Sequence, residues 1–346
     1  MKKTIAIIGA GMMGSALSIP LSDNGHEIRI IGTHLDNEII DHAKVNDNHK
    51  TMKRALPKGI AYYYYEELSK AVQGADIIVC GVSSFGVDWY IENVMPKLDP
   101  AVPMISVTKG LVCEENGNLI SFPHYMKKRG MGHFNLNAIG GPCTSYELAD
   151  RRHSCVAFCG DDINTLKMLK SVFETDYYHI SLSTDVAGVE CAVAMKNAYA
   201  LAVTMAVGMI EKQEGEGCTL AYNPQAAIFG QSVREMRRLL KLVGGHDDNV
   251  IYAAGDLYVT VYGGRTRLLG TLLGRGLTMK EALEKLSGVT LESVSIAGRT
   301  YKAIKLLSQR GVVKEEDYPI LMYIGSLLNG EEDTGMPWAK FEEERF

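Results

Sequence analysis

A single charged residue interrupts a long apolar run in the second half of the chain. From Cys191 to Ile210 there are twenty residues, and Lys196, followed by Asn197, is the only charged one. Burying an unpaired ammonium group is costly, so a lysine in this setting requires a reason. One reason is proton chemistry in a cleft, where burial and neighbouring charges adapt a lysine to donate and accept protons.

Two other interpretations of Lys196 compete with proton chemistry. The run has the roughly 20 residues that a membrane span needs. However, a lysine at the centre of a span costs about 2.5–3.5 kcal/mol, and the chain has no second apolar run of comparable quality, so we predict no membrane span. Alternatively, Lys196 extends its head group to water from the edge of a buried helix, which the pattern alone favours.

A glycine-rich turn near the N-terminus is the second candidate for chemistry. Gly9, Gly11 and Gly14 form a GxGxxG motif with Met12 and Met13 between the last two glycines. The motif follows an apolar strand and opens a helix, so it lies in a βαβ unit. The first glycine permits the turn, the second admits a pyrophosphate and the third lets helix and strand pack closely, while the helix N-terminus attracts phosphate. We therefore predict a dinucleotide site in preference to a turn without a ligand.

The same N-terminus also resembles a secretory signal. Residues 1–18 contain two lysines, an apolar run and small residues. However, a second strand, HEIRIIG, follows directly and completes a βαβ unit. Seven cysteines without a CxxC spacing are typical of a reducing compartment and provide no zinc site. The sequence therefore predicts a cytoplasmic protein with no metal.

The end of the second strand bears on the choice of dinucleotide. An NAD site usually has Asp or Glu there to bind the ribose hydroxyls, whereas this chain has Gly32 and Thr33, with His34 next. Thr33 and His34 could donate to the 2′-phosphate of NADP, and Asp36 could bind ribose if the loop folds back. Both NADP and NAD remain open, with a preference for NADP.

Composition and periodicity indicate the architecture. The chain of 346 residues is long enough for two domains, and a net charge of −5 with a pI near 6.0 argues against nucleic-acid binding. Apolar runs that alternate with helical segments predict a parallel α/β domain over 1–185, Rossmann-like, and helical periodicity alone predicts an all-α domain over 186–346. The predicted strands are 5–9, 28–32, 76–82, 103–110, 137–142 and 154–160. The predicted helices of the second domain are 186–213, 224–243, 247–256, 278–287, 290–309 and 317–329.

Further motifs appear in a recognisable order along the chain. After GxGxxG come SVTKG (106–110), GGPC (140–143), AMKNAYA (194–200) and AGDLYVT…GGRTR (254–267). In this order they resemble the NAD(P)-dependent glycerol-3-phosphate dehydrogenase family over almost the whole chain. The resemblance implies hydride transfer between NAD(P)H and dihydroxyacetone phosphate, giving sn-glycerol 3-phosphate, with a role in phospholipid biosynthesis. It is compatible with a homodimer.

The resemblance also implies roles for individual residues. Lys196 corresponds to the family's general acid/base, Lys109 to a second active-site lysine and Asp256 to the aspartate of the family's GDL or ADL motif. A lysine within reach of the carbonyl oxygen can supply the proton that hydride transfer requires, and a second lysine would stabilise the alkoxide. We therefore expect Lys109, Lys196 and Asp256 to converge on one oxygen in a cleft between the domains.

Further residues are expected to bind substrate or cofactor. The planar guanidinium of Arg265 suits a phosphate dianion and would also meet the cofactor. The expected substrate-binding residues are Gly141, Cys143, Asn197, Thr260, Gly264, Arg265 and Thr266. Beyond the GxGxxG residues, the expected cofactor-binding residues are Thr33, His34, Lys109, Ser145, Arg265 and Glu292.

Departures from the family's motifs fall in the expected substrate pocket. Thr266 replaces an asparagine, Cys143 replaces serine or threonine, and Tyr146 adds bulk. A thiol donates more weakly than a hydroxyl. A dehydrogenase of the same fold that acts on another phosphorylated or carboxylated substrate is therefore the alternative. A cofactor-binding sensor without catalysis is a third, which the presence of Lys109, Lys196 and Asp256 disfavours.

Overall fold

The computed structural model describes residues 1–217, 221–288, 291–331 and 335–341. Contacts divide the chain into two compact units. The first comprises 1–109 and 121–190, and the second comprises 110–120 and 191–346. This division differs from the predicted one, 1–185 and 186–346, because the segment 110–120 groups with the second unit and the boundary lies five residues later.

An eight-stranded sheet forms the centre of the first unit. Its strands lie in the order β10-β9-β8-β5-β4-β1-β2-β3. The strands of the chain, including the separate pair β6–β7, are β1 Thr4–Ile8, β2 Glu27–Ile31, β3 Ala61–Tyr63, β4 Ile77–Cys80, β5 Met104–Ser106, β6 Leu111–Cys113, β7 Leu119–Ser121, β8 Leu136–Gly140, β9 Ser154–Gly160 and β10 Tyr178–Ser183.

The sheet is parallel from β3 through β8, as the apolar runs predicted. One pairing is different: β8 and β9 are antiparallel, and β10 runs parallel to β9. The prediction that all of these strands pair in parallel was therefore wrong at this edge. Strand direction depends on how the connection between β8 and β9 crosses the sheet, and apolar runs carry no information about that.

The helices of the chain are α1 Met12–Asp23, α2 Asn37–Asn46, α3 Leu68–Ala71, α4 Val87–Asn93, α5 Phe122–Met126, α6 Ser145–Ala149, α7 Ile163–Phe173, α8 Val186–Glu214, α9 Tyr222–Leu242, α10 Val250–Val261, α11 Gly264–Gly274, α12 Met279–Lys285, α13 Glu292–Gln309 and α14 Pro319–Leu328. In the first unit, α1 packs on β1 and β2, and α7 packs on β9 and β10. The strands β1 and β4 are buried on both sides, which explains their uninterrupted apolar sequences.

Helix α8 forms the core of the second unit. Its length and composition would suit a membrane span, but 72% of its most apolar window is buried inside the protein. Ala198, Tyr199 and Leu201 are among its fully buried residues, and α9, α10, α13 and α14 contribute to the same core. The apolar run around Lys196 is thus explained by burial within a helical unit.

The second unit is not entirely helical. Leu111 of β6 and Leu119 of β7 belong to its hydrophobic core, and the guanidinium of Arg299 on α13 donates to the carbonyl oxygen of Leu111 at 2.9 Å. Along the chain, this strand pair lies between the two segments that make up the first unit. It was not predicted because its packing partners are about 190 residues away in the chain.

Candidate active site

The GxGxxG turn has the shape that a dinucleotide requires. Gly9 has φ +106°, and a Cβ there would lie 2.7 Å from the carbonyl carbon of Gly81, so only glycine fits. A Cβ on Gly14 would lie 2.9 Å from the carbonyl oxygen of Gly9, so this glycine permits the close packing of α1 on β1. By contrast, a Cβ on Gly11 would meet only the Gly81 oxygen at 3.6 Å. The backbone at Gly11 is therefore open to a ligand, next to the N-terminus of α1 that Met12 and Met13 begin.

The loop after β2 folds back onto this turn. Oδ2 of Asp36 accepts hydrogen bonds from the backbone N–H groups of Thr33 at 2.8 Å and Ala10 at 3.1 Å, and from the Thr33 hydroxyl at 2.8 Å. The Thr33 hydroxyl is thus already donating, which the sequence did not indicate. His34 is exposed and its ring lies 5.1 Å from that of Trp89.

Lys109 lies at the carboxyl end of the sheet. It follows β5, which ends at Ser106, and its Nζ donates to the carbonyl oxygen of Gly141 at 3.0 Å. Gly141 has φ +118° and follows the neighbouring parallel strand β8. Since β1, β2, β5 and β8 run in the same direction, Gly9, Thr33, Lys109 and Gly141 share the edge at which ligands bind in open α/β sheets.

The short helix α6 begins just after this edge. Thr144 caps it by accepting from the backbone N–H of Glu147 at 3.4 Å. Cys143 is half-buried and Ser145 is buried. The cap therefore fixes the backbone that carries both expected ligand-binding side chains.

Lys196 and Asp256 form an ion pair within the second unit. Nζ of Lys196 donates to Oδ1 of Asp256 at 2.6 Å, and the two residues come from α8 and α10. The Asp256 side chain is fully buried, whereas 15% of the Lys196 side chain is exposed. This arrangement explains how an apolar helix tolerates a lysine, because the carboxylate offsets the desolvation of the ammonium group while leaving it accessible.

The expected phosphate-binding residues surround the start of α11. Gly264, Arg265 and Thr266 form its first turn, and Arg265 is exposed. The Thr260 hydroxyl donates to the backbone oxygen of Asp256 at 2.7 Å, one turn earlier on α10. The helix α11 was not among the predicted helices.

Two further expected residues lie in the second unit. Asn197 is half-buried beside Lys196 on α8, and Glu292 is half-buried in the first turn of α13. The structure thus joins Lys196 with Asp256, and Lys109 with Gly141. The expectation that Lys109 and Lys196 meet on one oxygen remains a prediction.

Sequence reasoning missed two residues that shape the dinucleotide turn. Gly81 packs against Gly9, and the buried ring of His49 bonds through Nε2 to the carbonyl oxygen of Ala10 at 2.9 Å. Burial lowers the pKa of His49, which favours the neutral ring. Gly81 directly follows β4, so its place at the same strand end was a detectable signal, whereas His49 had none. Within the described ranges, no group of three or more His, Cys, Asp or Glu residues is arranged to hold a metal ion.

Comparison with known proteins covers nearly the whole chain. The profile of the NAD-dependent glycerol-3-phosphate dehydrogenase N-terminus matches residues 4–165, and that of the C-terminus of the same family matches residues 185–336. The chain belongs to this family. Family membership agrees with the Rossmann-like sheet and the helical second unit.

Relatives of the glycerol-3-phosphate dehydrogenase family match along most of their length. An NADP(+)-dependent glycerol-3-phosphate dehydrogenase of Archaeoglobus fulgidus is 31% identical, covering 92% of this chain and 94% of the relative. A glycerol-3-phosphate dehydrogenase [NAD(P)+] of Shouchella clausii is 29% identical, covering 94% and 91%. The cofactor of the family is thus NAD or NADP.

Solved structures show the same fold. A glycerol-3-phosphate dehydrogenase of Plasmodium falciparum superposes with a TM-score of 0.82 at 18% identity, covering 100% of this chain and 96% of that one. The enzyme of Coxiella burnetii gives 0.79 at 23% identity, covering 98% of both chains.

Proposed function

We propose that this protein is a cytoplasmic NAD(P)-dependent glycerol-3-phosphate dehydrogenase that interconverts dihydroxyacetone phosphate and sn-glycerol 3-phosphate. The observation that carries the proposal is the Lys196–Asp256 pair of 2.6 Å in a protein of this family. A buried carboxylate beside a partly exposed ammonium group is a suitable arrangement for a general acid.

The residues of the first unit fit a dinucleotide. The turn at Gly9 closes against Gly81, and the backbone at Gly11 leaves room for a pyrophosphate beside the N-terminus of α1. When bound, the dinucleotide supplies or accepts the hydride. Thr33 and His34 are assigned to the ribose side of the cofactor, and Asp36 holds the Thr33 hydroxyl through a hydrogen bond of 2.8 Å.

Lys196 transfers the proton in this proposal. Hydride addition to the carbonyl carbon leaves negative charge on oxygen, and Nζ of Lys196 both stabilises that charge and delivers a proton to the oxygen. Asp256 orients the ammonium group through its hydrogen bond of 2.6 Å. In the reverse direction, Lys196 takes the proton from the alcohol. Lys109 is assigned to the same oxygen as a second positive group.

Arg265 is assigned to the substrate phosphate. It projects from the first turn of α11, where backbone N–H groups and the helix dipole also favour an anion. Gly264 in the left-handed region at φ +80° brings the backbone to the anion without a side chain. A guanidinium fork pairs with two phosphate oxygens at once, which gives both affinity and orientation.

A second candidate substrate follows from the side chains that are assigned to substrate binding. Thr266 beside Arg265 and Cys143 on the first unit give fewer strong donors than the family's motifs provide. Another phosphorylated ketose or a keto acid is the alternative that this observation favours.

The test is steady-state oxidation of NADPH and NADH with dihydroxyacetone phosphate, alongside a panel of ketose phosphates and keto acids. We expect turnover with dihydroxyacetone phosphate and a loss of about 10²- to 10⁴-fold in kcat for Lys196→Met, the usual contribution of a general acid. Lys212→Met is the matched control, since Lys212 is an exposed lysine of the same helix. No turnover at millimolar dihydroxyacetone phosphate, with turnover of another panel member, would select the alternative substrate.

A further inference from the structure

Glu190 is a buried acid that the proposed mechanism leaves unused. It lies in the second turn of α8, is fully buried, and within the described parts of the chain neither of its carboxyl oxygens has a hydrogen-bond partner. Buried polar groups in native proteins nearly always have partners, so an exception calls for an explanation. Burial raises the pKa of Glu190 to about 8, which keeps the carboxyl mostly neutral at pH 7.

The positive charge that acts on Glu190 is that of Lys109, which works against burial and lowers the pKa of the carboxyl. Lys109 is anchored elsewhere, because its Nζ donates to the carbonyl oxygen of Gly141 at 3.0 Å. That oxygen is well fixed: Gly141 packs so closely on β9 that a Cβ would lie 3.2 Å from the Cα of Val156. The ammonium group therefore has a backbone acceptor and, within electrostatic range, a carboxyl group that has no hydrogen-bond partner among the described residues.

Among the described residues, the buried thiol of Cys159 on β9 also interacts electrostatically with Glu190. Burial and the Glu190 charge, with smaller effects of Asp185 and Asp161, raise the pKa of this thiol, so it stays uncharged. Lys109 is consequently the group that responds when Glu190 gains or loses its proton.

We infer that Glu190 is a positioning residue for Lys109: its neutral carboxyl leaves the ammonium charge available to a bound anion, and its ionised form becomes the counter-ion of Lys109 and withdraws that charge. The electrostatic strength of Lys109 then depends on a proton held at a buried site within its electrostatic range. Since the role of Lys109 belongs to the proposed dehydrogenase function, this inference rests on that function. The proton that Glu190 releases passes to solvent, so no co-reactant is required.

The kinetic test compares the pH dependence of kcat/KM for the parent protein and Glu190→Gln between pH 6 and 9.5. A single group that ionises near pH 8 depletes its protonated form about tenfold at pH 9. We therefore expect the ratio of kcat/KM at pH 9 to that at pH 7 to be up to about tenfold higher in Glu190→Gln than in the parent. Glu66→Gln, an exposed acid of the same unit, is the control and should reproduce the parent profile. Superimposable profiles for all three proteins would overturn the inference.

A second measurement does not depend on activity or on the folding of Glu190→Gln. In protein labelled with ¹³C at the glutamate carboxyl carbon, two buried acids should have raised midpoints: Glu190 near 8 and Glu235 near 7. Lys109→Met should raise the higher midpoint and leave that of Glu235 unchanged, because the pKa of Glu235 is set by its own burial and by its hydrogen bonds to Ile320, Gln231, Leu321 and Tyr199. An unmoved midpoint near 8 would refute the coupling. If this coupling is found but the parent shows no dehydrogenase turnover, the proposed function fails and the coupling of Glu190 to Lys109 stands.

Discussion

Asp256 and Lys196 are joined by a hydrogen bond of 2.6 Å, but they are buried to different degrees. The carboxylate is wholly enclosed, whereas part of the ammonium-bearing side chain reaches the surface. Replacing Lys196 and replacing Asp256 should therefore lower the stability of the protein by different amounts.

The first prediction concerns stability. Lys196→Met leaves a fully buried carboxylate without its ammonium partner and should lower the free energy of unfolding by about 3–5 kcal/mol, the usual effect of breaking a buried ion pair. Asp256→Asn should cost less, because Lys196 can turn toward water. Urea unfolding of both single variants and the double variant measures this. Equal losses, or a double variant whose loss is the sum of the two, would contradict the asymmetry.

The second prediction separates two glycines of the dinucleotide turn. Gly9→Ala introduces a Cβ 2.7 Å from Gly81 at a φ of +106°, so it should lower the melting temperature and weaken cofactor binding. Gly11→Ala makes only an ordinary contact at 3.6 Å, so the protein should keep its stability and lose cofactor affinity. Thermal unfolding and fluorescence titration with NADPH distinguish the two effects. A destabilised Gly11→Ala protein would argue against an open backbone there.

The third prediction tests the role of Arg265. Arg265→Met should reduce kcat/KM for dihydroxyacetone phosphate by roughly 10- to 100-fold, since a hydrogen bond to a charged group contributes about 1.5–3 kcal/mol. The same variant should act on dihydroxyacetone, which has no phosphate, as poorly as the parent does. Arg237→Met, an exposed arginine whose partner is Asp247, serves as control. A similar loss for both substrates would place Arg265 outside the phosphate site.

The fourth prediction concerns cofactor preference. We expect a higher kcat/KM with NADPH than with NADH, and His34→Ala should reduce this ratio several-fold because His34 is an exposed donor beside Thr33. The effect should appear with NADPH and be small with NADH, which lacks the 2′-phosphate. If the parent prefers NADH, Asp36 is better assigned to the ribose hydroxyls, since its carboxylate already lies at the turn.

The fifth prediction is a pH effect on stability. Glu235 is fully buried, accepts hydrogen bonds from the N–H groups of Ile320 and Leu321 and from Tyr199, and burial raises its pKa to about 7. The folded state therefore binds this proton more tightly than the unfolded state, in which the pKa is about 4.3. Its contribution to stability is complete below that value and is lost as the pH rises through 7.

The corresponding measurement is the free energy of unfolding of the parent and Glu235→Gln from pH 5 to pH 8. The difference, parent minus variant, should fall by up to about 3 kcal/mol over this range, because a pKa difference of one unit corresponds to about 1.4 kcal/mol. Glu66→Gln, which replaces an exposed acid, is the control for the removal of a surface charge. If the free energy of unfolding of the parent minus that of Glu235→Gln rises with pH instead, the hydrogen bonds to Glu235 outweigh its burial and its pKa is lowered.

The sequence predicted much of the first unit because its strands are buried on both faces. The runs at 5–9, 28–32 and 154–160 correspond to β1, β2 and β9 within a residue. The antiparallel step at β9 and the strand pair β6–β7 were missed because both are decided by long-range contacts. Helix α11 was missed because Gly263 and Gly264 suggest a turn, and here they form the entry to a helix.

At the candidate site, the sequence indicated which residues to consider but not which hydrogen bonds they make. An isolated charge in an apolar run indicated Lys196, and a partner such as Asp256 followed from the family motif. The bonds of Asp36 to Thr33 and Ala10 depend on the path of a loop, which composition does not determine. Glu190 gave no signal, since an acid just before an apolar run looks like its solvated end.

Helix α8 is tied to two other helices within a single turn. Lys196 bonds to Asp256 on α10, and Tyr199, three positions later, bonds to Glu235 on α9. Each added or deleted residue turns the rest of a helix by about 100° and shifts it by about 1.5 Å. An insertion or deletion between Lys196 and Tyr199 would therefore break one of these two hydrogen bonds, regardless of which residue was added or removed. The length of this segment is therefore constrained independently of the side chains it carries.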